Sequence, residues 1–272
     1  MGSGIGGDHA TENQTVSAQP QHHGRSLGSA AQAQGHEVRG TWHRSISLGR
    51  LKLAFLPDGV SIRPYRKPDR EAVRQFAAND EHERPRLLAR HRRLGEYRAD
   101  GLAHFFDLEP ESMFVAEQDG ELIGNLLGTV DVDLADQREE TYTRRLRRRR
   151  LLLGAYGVPV WLIPLFRTDR APLISDPPHV DHERYPAELH IGVRRDWRRQ
   201  GIGAAPMSAF EAYLRRKDVP GYRISASSYH HEGVSFYRKL GLDELGQFGR
   251  RFHDGFTWLE VQEYVFVRDL ST

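Results

Sequence analysis

The 272-residue sequence has no cysteine. The absence of cysteine excludes a disulfide framework, a thiolate metal site and a cysteine acyl-enzyme intermediate. Long apolar runs are also missing, because none reaches the roughly 18 residues that span a bilayer. The first residues lack the basic and then apolar layout of a secretory signal. We therefore expect a soluble cytoplasmic protein with no membrane partner and no bound metal.

The sequence also lacks an excess of charge of one sign. Its 39 Lys and Arg residues nearly balance 37 Asp and Glu residues, which leaves a net charge of +2. This balance argues neither for nor against a nucleic acid partner. Hydrophobic residues make up 38% of the chain, which suffices for a globular core. The length fits one large domain, or one domain with extensions.

The chain divides into a polar tail and a domain. Residues 1–46 are rich in Gly, Ser, Ala, Gln and His, and such a segment cannot bury enough apolar surface to offset its ordering entropy. We expect this tail to be disordered, with His22 and His23 solvated rather than metal-bound. Residues 47–272 are expected to form one domain, with an insertion at about 131–183.

Alternating apolar residues predict strands, and residues at helical spacing predict helices. Asp119-Gly120 lies between two alternating runs, so Met113–Gly128 is predicted to be an antiparallel hairpin. Further strands are predicted at Leu51–Phe55, Val60–Tyr65, Ala187–Val193, Gly221–Ser227, Leu242–Phe252 and Phe256–Arg268. Helices are predicted at Arg70–Ala78, Glu83–Gly101, Gln137–Leu153, Gly203–Lys217 and Val234–Leu240.

A glycine-rich loop, Arg198–Ala204, leaves a predicted strand and enters a predicted helix. Backbone N–H groups at a helix start lack partners, and the helix dipole favours an anion there. Gly201 and Gly203 carry no Cβ to block the approach of phosphate oxygens, and Arg198 and Arg199 add positive charge. The loop is therefore predicted to hold a pyrophosphate.

Two common nucleotide loops do not fit this segment. A Walker A loop needs Gly-Lys-Ser/Thr after four intervening residues, and the segment has no such sequence. A dinucleotide fingerprint needs a third glycine, where Pro206 stands, and an acidic residue after the next strand, where Ser227 and Ser228 stand. Both interpretations are therefore excluded.

The spacing Arg198-x-x-Gly201-x-Gly203 resembles the acyl-CoA signature of the GNAT acetyltransferase superfamily. Downstream, residues 230–242 resemble the family pattern Asn-x-x-Ala-x-x-Phe-Tyr-x-x-x-Gly-Phe. Phe236-Tyr237 and Gly241 match it, whereas His230 stands in place of Asn and Gly233 in place of Ala. The resemblance covers roughly residues 51–269. Residues 185–191 are similar to a bacterial subgroup related to the acetyltransferase-like domain of O-GlcNAcase.

The resemblance implies an α+β fold, with a mixed and mostly antiparallel central sheet of six or seven strands and helices on both faces. It implies acetyl-CoA as the acyl donor and an amine as the acceptor. Strand 189–193 would splay from strand 222–227, and the pantetheine arm would enter that gap. The residues expected to bind the donor are Ile191, Gly192, Val193, Arg198, Arg199, Gln200, Gly201, Ile202, Gly203, Ala204 and His230.

Three residues are candidates for proton transfer. Tyr237 matches the family tyrosine near the CoA sulfur, and a phenol is protonated at neutral pH and can donate to a thiolate. Glu188 and His190 lie two residues apart on a strand and therefore share a face. Either one could take the proton of the amine, and the sequence does not choose between them.

Alternatives to an acyltransferase stay open. A module of the same fold could bind acyl-CoA without catalysis. The arginine run Arg144, Arg145 and Arg147–Arg150 could bind nucleic acid, an acidic partner or the 3′-phosphate of CoA. No aromatic residues interleave with it, so a solvated helix face is preferred. An acceptor-selecting role for the insertion comes second. A homodimer is one further arrangement that we consider.

Overall fold

The computed structural model describes residues 56–79, 92–157, 173–228, 231–253 and 258–271. The predicted disordered tail, the predicted strand Leu51–Phe55 and His230 lie outside these ranges, as does the middle of the predicted insertion.

Seven strands of the described residues form one mixed sheet in the order β1-β2-β3-β4-β5-β7-β6. Neighbouring strands are antiparallel except for β4 and β5, which are parallel. This confirms the predicted α+β class and the mostly antiparallel sheet. The strands are β1 (Val60–Pro64), β2 (Phe114–Gln118), β3 (Glu121–Thr129), β4 (Ala187–Val193), β5 (Gly221–Ser227), β6 (Asp243–His253) and β7 (Trp258–Asp269).

The predicted hairpin is confirmed. Asp119 and Gly120 connect β2 to β3 with φ angles of 50° and 82°, which are the left-handed values that a two-residue hairpin turn needs. Glycine adopts this conformation without strain, and Asp tolerates it better than most residues do.

Strands β4 and β5 pair over only two positions, Ala187 with Tyr222 and Glu188 with Arg223. Both strands continue beyond this point, β4 to Val193 and β5 to Ser227. The strands therefore separate after Glu188 and leave a wedge-shaped gap in the sheet, as the family resemblance implies.

Helices cover both faces of the sheet. They are α1 (Arg70–Asn79), α2 (Arg92–Ala99), α3 (Ala103–Leu108), α4 (Val132–Arg138), α5 (Arg144–Leu152), α6 (Ala204–Arg216) and α7 (His231–Lys239). One core packs α1 and α3 against Val115 and Leu127 of the sheet. A second core packs α6 and α7 against Leu126 and Leu189. Leu126 and Leu127 are consecutive and point into opposite cores, as strand alternation requires.

Helices α4 and α5 are joined by a π-helical turn, Glu139–Thr143, so residues 132–152 are helical without a break. Asp131 caps the start of α4, where its carboxylate accepts from the backbone N–H of Leu134 at 3.0 Å. The prediction of a basic helix in the insertion is therefore confirmed, and this helix begins several residues earlier than predicted.

A buried ionic network joins α1, α2 and α5. Asp100 accepts from the hydroxyl of Tyr156 at 2.6 Å and from Nε of Arg74 at 3.1 Å. Arg150 lies 2.8 Å from Asp100, and both Arg74 and Arg150 lie 3.0 Å from Glu96. Because Asp100 is 2% exposed and Arg74 is 7% exposed, each charge depends on its partners for solvation.

The structure changes the sequence predictions at two points in this region. Within the described residues, the predicted helix Glu83–Gly101 is confirmed as α2 and the first residues of a 3-10 turn, Asp100–Leu102, but α3, which follows this turn, was not predicted. The predicted solvated face holds for Arg144, Arg145, Arg148 and Arg149, which are exposed. It is wrong for Arg147 and Arg150, which pack inward: Arg147 lies over the ring of Tyr97 at 4.3 Å, and Arg150 joins the buried network.

Candidate active site

The loop 198–204 connects the end of β4 to the start of α6 and has an unusual backbone. Arg199 and Gly201 have φ angles of 60° and 80°, whereas Arg198 and Gly203 have negative φ angles. Alternation of this kind turns backbone N–H groups toward one side and makes a concave anion site. A non-glycine residue in the left-handed region costs about 1–2 kcal/mol, so Arg199 is held there by its surroundings.

Three side chains brace this loop from within the protein. Nε of Arg198 donates to the carbonyl of Val193 at 2.9 Å, and Nε2 of Gln200 donates to the carbonyl of Asp196 at 3.1 Å. Ile202 is 1% exposed and packs into a small core beneath the sheet. Arg198 also lies 3.6 Å from Glu232 of α7. These side chains hold the loop shape, and the backbone N–H groups of Arg198 and Ala204 donate to the carbonyls of Arg195 and Gly201 at 3.3 and 3.0 Å. The side chain of Arg199 is exposed.

The structure adds a reason for glycine at position 203 that the sequence does not show. A Cβ at Gly203 would lie 3.1 Å from Cζ of Phe236 and 3.7 Å from Cγ2 of Val193. Its φ of −67° suits any residue. A Cβ at this position would therefore press against Phe236 of α7, which gives a second reason for glycine beside the space for a phosphate.

Beside the loop, β4 carries two candidate bases on one face. His190 pairs across the sheet with Leu127 of the α1 and α3 core. It is exposed, and its ring meets the ring of Phe105 edge-on at 5.6 Å. Because His190 lies beyond the last β4–β5 pair, it borders the open part of the gap.

Glu188 lies at the closed end of the gap and has a different environment. Its carboxylate forms an ion pair with Arg223 of β5 at 3.3 Å. Arg223 also contacts Nε2 of His182 at 2.8 Å, and Nδ1 of His182 lies 3.0 Å from Asp133 of α4. Burial, and then the nearby charge of Glu188, raise the pKa of Asp136 on the same helix. The sequence analysis did not connect these residues with Glu188.

Tyr237 approaches from the other side of the sheet. It lies on α7 in the core that contains α6, 6% exposed, with its ring 5.6 Å from that of Phe266. Burial raises the pKa of Tyr237 above its ordinary value, so the hydroxyl is protonated at neutral pH. Tyr237 and His190 thus belong to opposite faces of the sheet.

A buried histidine missed by the sequence analysis lies near His190. His104 of α3 is 6% exposed, and its Nδ1 lies 3.3 Å from Oγ1 of Thr143 in the π-helical turn. Burial, and then the neighbouring His190, lower the pKa of His104 to about 4. His104 is therefore neutral at pH 7. The six residues of α3 are too few to show a clear periodic pattern in the sequence, so no local signal pointed to this histidine.

A close contact also explains why residue 192 is a glycine. A Cβ there would lie 2.8 Å from Cε1 of Phe76 on α1 and 3.2 Å from Oδ1 of Asn125 on β3. Glycine lets α1 cover the end of β4, which places Phe76 beside the gap. The structure thus brings Ile191, Gly192, Val193 and the loop 198–204 together, whereas His230 lies outside the described residues.

Among the described residues, no group of three or more His, Cys, Asp or Glu side chains could hold a metal ion. No helix in the same ranges is both long enough and apolar enough to cross a membrane.

Comparison with known proteins bears on this site. Residues 165–242 match the model of the acetyltransferase (GNAT) family. Among solved structures, SsHAT is 23% identical, and the match covers 79% of this chain and 100% of that chain with a TM-score of 0.53.

Two further solved structures are less similar. The yncA protein from Salmonella typhimurium, solved with its cofactor acetyl-CoA, is 13% identical over 78% of this chain and 95% of its own, with a TM-score of 0.47. The ribosomal-protein-S18-alanine N-acetyltransferase from Escherichia coli is 14% identical over 78% and 95%, with a TM-score of 0.45. No curated protein matched the chain.

The residues that match the family model include β4, the loop 198–204, α6, β5 and the Phe236-Tyr237 pair. SsHAT has the same overall fold. Over residues 165–242 the chain is therefore similar to the acetyltransferase (GNAT) family.

Proposed function

We propose that this protein transfers an acetyl group from acetyl-CoA directly to an amine while both substrates are bound. The observation that carries the proposal is the gap between β4 and β5, which opens beside the loop 198–204. A single cleft would then hold the two ends of one long ligand, its pyrophosphate at the loop and its thioester in the gap.

The loop and the start of α6 are proposed to bind the pyrophosphate. The left-handed residues Arg199 and Gly201 and the N-terminus of a 13-residue helix support this assignment, because both arrangements favour anions. Arg199 is proposed to add an ionic contact. The other loop side chains, Arg198, Gln200 and Ile202, act by holding the backbone in shape.

The open edge of β4 is proposed to bind the pantetheine arm. Beyond Glu188, β4 has no pairing with β5, so backbone groups of Ile191 to Val193 that face the gap are available to a ligand. A backbone N–H in this segment would also donate to the thioester oxygen as negative charge develops there.

His190 and Tyr237 are proposed to move the protons. Bound acetyl-CoA supplies an acetyl carbon activated by a thioester, which the free amine attacks as the carbon–sulfur bond breaks. Most alkyl amines are protonated at pH 7, so His190 would accept a proton from the amine. The phenol of Tyr237 would donate a proton to the leaving thiolate. Their origin on opposite sheet faces suits an attacking and a leaving group that lie on different sides of the carbonyl carbon.

The proposal is tested by measuring thiol release from acetyl-CoA across a panel of amines, with CoA affinity measured by calorimetry. Tyr237→Phe is expected to lower kcat by about 10²-fold, a typical effect of losing a general acid, while CoA affinity stays within about twofold. Tyr213→Phe is the matched control, because Tyr213 is a similarly buried tyrosine of the same core.

Two results would contradict this proposal. An unchanged kcat for Tyr237→Phe would remove the acid role of this residue. Tight CoA binding by the unaltered protein without turnover on any amine would instead favour a module that binds CoA without catalysis.

A further inference from the structure

Five side chains form one exposed stripe along α5 and the turn that follows it. Arg145, Arg148, Arg149, Leu152 and Leu153 are spaced as i, i+3, i+4, i+7 and i+8, which places them on a single helix face. All five side chains line the same shallow depression. Leu152 and Leu153 are each 73% exposed, the highest values among the exposed large hydrophobic residues of the described chain. We name this surface the Arg–Leu stripe.

The three arginines of the Arg–Leu stripe have no ion-pair partner among the described residues, although carboxylates lie on neighbouring elements. Those carboxylates are occupied by other arginines of the same run. Glu140 lies 3.0 Å from Arg144, and Glu96 and Asp100 bind Arg150 within the buried network. The stripe therefore presents uncompensated positive charge on a chain whose net charge is only +2.

We propose that the Arg–Leu stripe is a docking site for an acidic polypeptide segment that ends in apolar residues. The stripe is divided along its axis, with three arginines first and two leucines after them. At 1.5 Å per residue it is about 12 Å long. A segment of matching length could place carboxylates against the three arginines and leucine-like side chains against the two leucines at the same time.

Two other classes of partner fit this arrangement less well. A nucleic acid offers phosphates to the arginines and nothing to a pair of exposed leucines, and duplex binders contact phosphates over a wider basic surface. A helix that lies on a membrane has its apolar residues on one face and its basic residues on the opposite, polar face. Here the basic and apolar residues follow one another along one stripe, which matches a linear polypeptide with two distinct ends.

The test is fluorescence anisotropy of the full chain with labelled synthetic peptides of about ten residues. One peptide carries glutamates followed by leucines, and a second carries the reverse order, because the direction of binding is open. Matched peptides replace either Glu by Gln or Leu by Ser. A DNA duplex and vesicles that contain phosphatidylserine are measured in parallel.

The test variant is Arg145→Gln, Arg148→Gln and Arg149→Gln together. All three side chains are exposed and without described ion pairs, so the fold is expected to survive. The control variant is Arg66→Gln, Lys67→Gln and Arg216→Gln, which removes the same charge from exposed sites elsewhere. A third variant, Leu152→Ser with Leu153→Ser, removes the apolar half. Circular dichroism checks that each variant is folded.

We expect one Glu–Leu peptide to bind, about tenfold more weakly to the arginine variant and several-fold more weakly to the leucine variant, with the control variant unchanged. Binding should weaken as salt is raised. The proposal is overturned if neither peptide binds, or if the arginine and control variants bind equally. It is also overturned if the stripe variants lose affinity for DNA or for vesicles and not for the peptides.

Discussion

His190 and Glu188 lie on the same face of β4, yet they differ in what they can do. Glu188 is held by Arg223 at the closed end of the gap, where β4 and β5 still pair. His190 is exposed, with one side of its ring covered by Phe105. A general base must reach the amine and then pass its proton to solvent. These requirements favour His190 as the base and give Glu188 the role of fixing Arg223.

We therefore predict that His190→Gln lowers kcat/KM by about 10²-fold, because the amide cannot accept the proton of the amine. Steady-state rates across a panel of amines measure this effect.

Glu188→Gln is the matched comparison, because it removes a carboxylate two positions away on the same strand face. We expect it to change kcat/KM by less than about tenfold. A larger loss for Glu188→Gln than for His190→Gln would transfer the role of the base to Glu188.

The sequence predicted that these two side chains share a face, because strands alternate with a period of two. It could not rank them, because the deciding partner, Arg223, lies 35 residues from Glu188 along the chain. Pairing of this kind depends on tertiary structure and leaves no local pattern.

At the scale of elements, the loop 198–204 depends on helix α7 as well as on its own glycines. Arg198 lies 3.6 Å from Glu232 of α7, and Gly203 packs against Phe236 of the same helix. A substitution at this contact should therefore change the backbone conformation of the loop. The two elements behave as one unit of the proposed donor site.

We predict that Gly203→Val weakens CoA binding by about tenfold or more, because its side chain must displace Phe236 or the loop. Overpacking of a tight contact typically costs about 1–3 kcal/mol, which corresponds to this range. Adding Phe236→Ala to Gly203→Val should recover part of the affinity. Calorimetry of the two single variants and the double variant measures the coupling between the positions.

Gly233→Ala is the control for this experiment. Gly233 lies on α7, where a Cβ would meet nothing closer than Cε2 of Tyr237 at 4.0 Å. This variant should bind CoA as the unaltered protein does. Additive effects in the Gly203 and Phe236 cycle would contradict the proposed contact and would restore direct obstruction of the phosphate as the explanation.

Elements with strong local signals were predicted well from sequence. The hairpin followed from Asp119-Gly120, and the predicted bounds of β4 and β5 agree with the structure. Helix α3 was missed because its six residues are too short for a clear periodic pattern. The division of the arginine run was also missed, since it depends on Tyr97, Glu96 and Asp100, which lie on other elements.

At the scale of the whole molecule, the gap between β4 and β5 came from the family resemblance and not from residue patterns. The sequence patterns of β4 and β5 predict two ordinary strands and give no sign that they separate. Whether two strands pair along their full length or separate depends on what packs against each face. Here Phe76 and Asn125 crowd one face near Gly192, and Gly203 brings the loop and α7 against Val193.

The protonation of His104 should make the free energy of unfolding depend on pH. Burial, then the neighbouring His190, and then the cations Arg138 and Arg147 together lower its pKa to about 4. A hydrogen bond with the backbone of Gly101 opposes these effects. In the unfolded chain, a histidine has a pKa near 6.5. Folding therefore requires His104 to give up its proton at any pH between these two values.

We predict that the free energy of unfolding falls as the pH decreases from about 6.5 to about 4, because the unfolded chain then binds one more proton at this site. The contribution reaches up to about 3 kcal/mol. His104→Asn retains a hydrogen-bonding group toward Thr143 and has nothing to titrate, so its stability should depend less on pH. Urea denaturation between pH 7 and 4.5 measures both proteins. The exposed His179→Gln is the control, and equal slopes for His104→Asn and the unaltered protein would show that His104 is not buried in its neutral form.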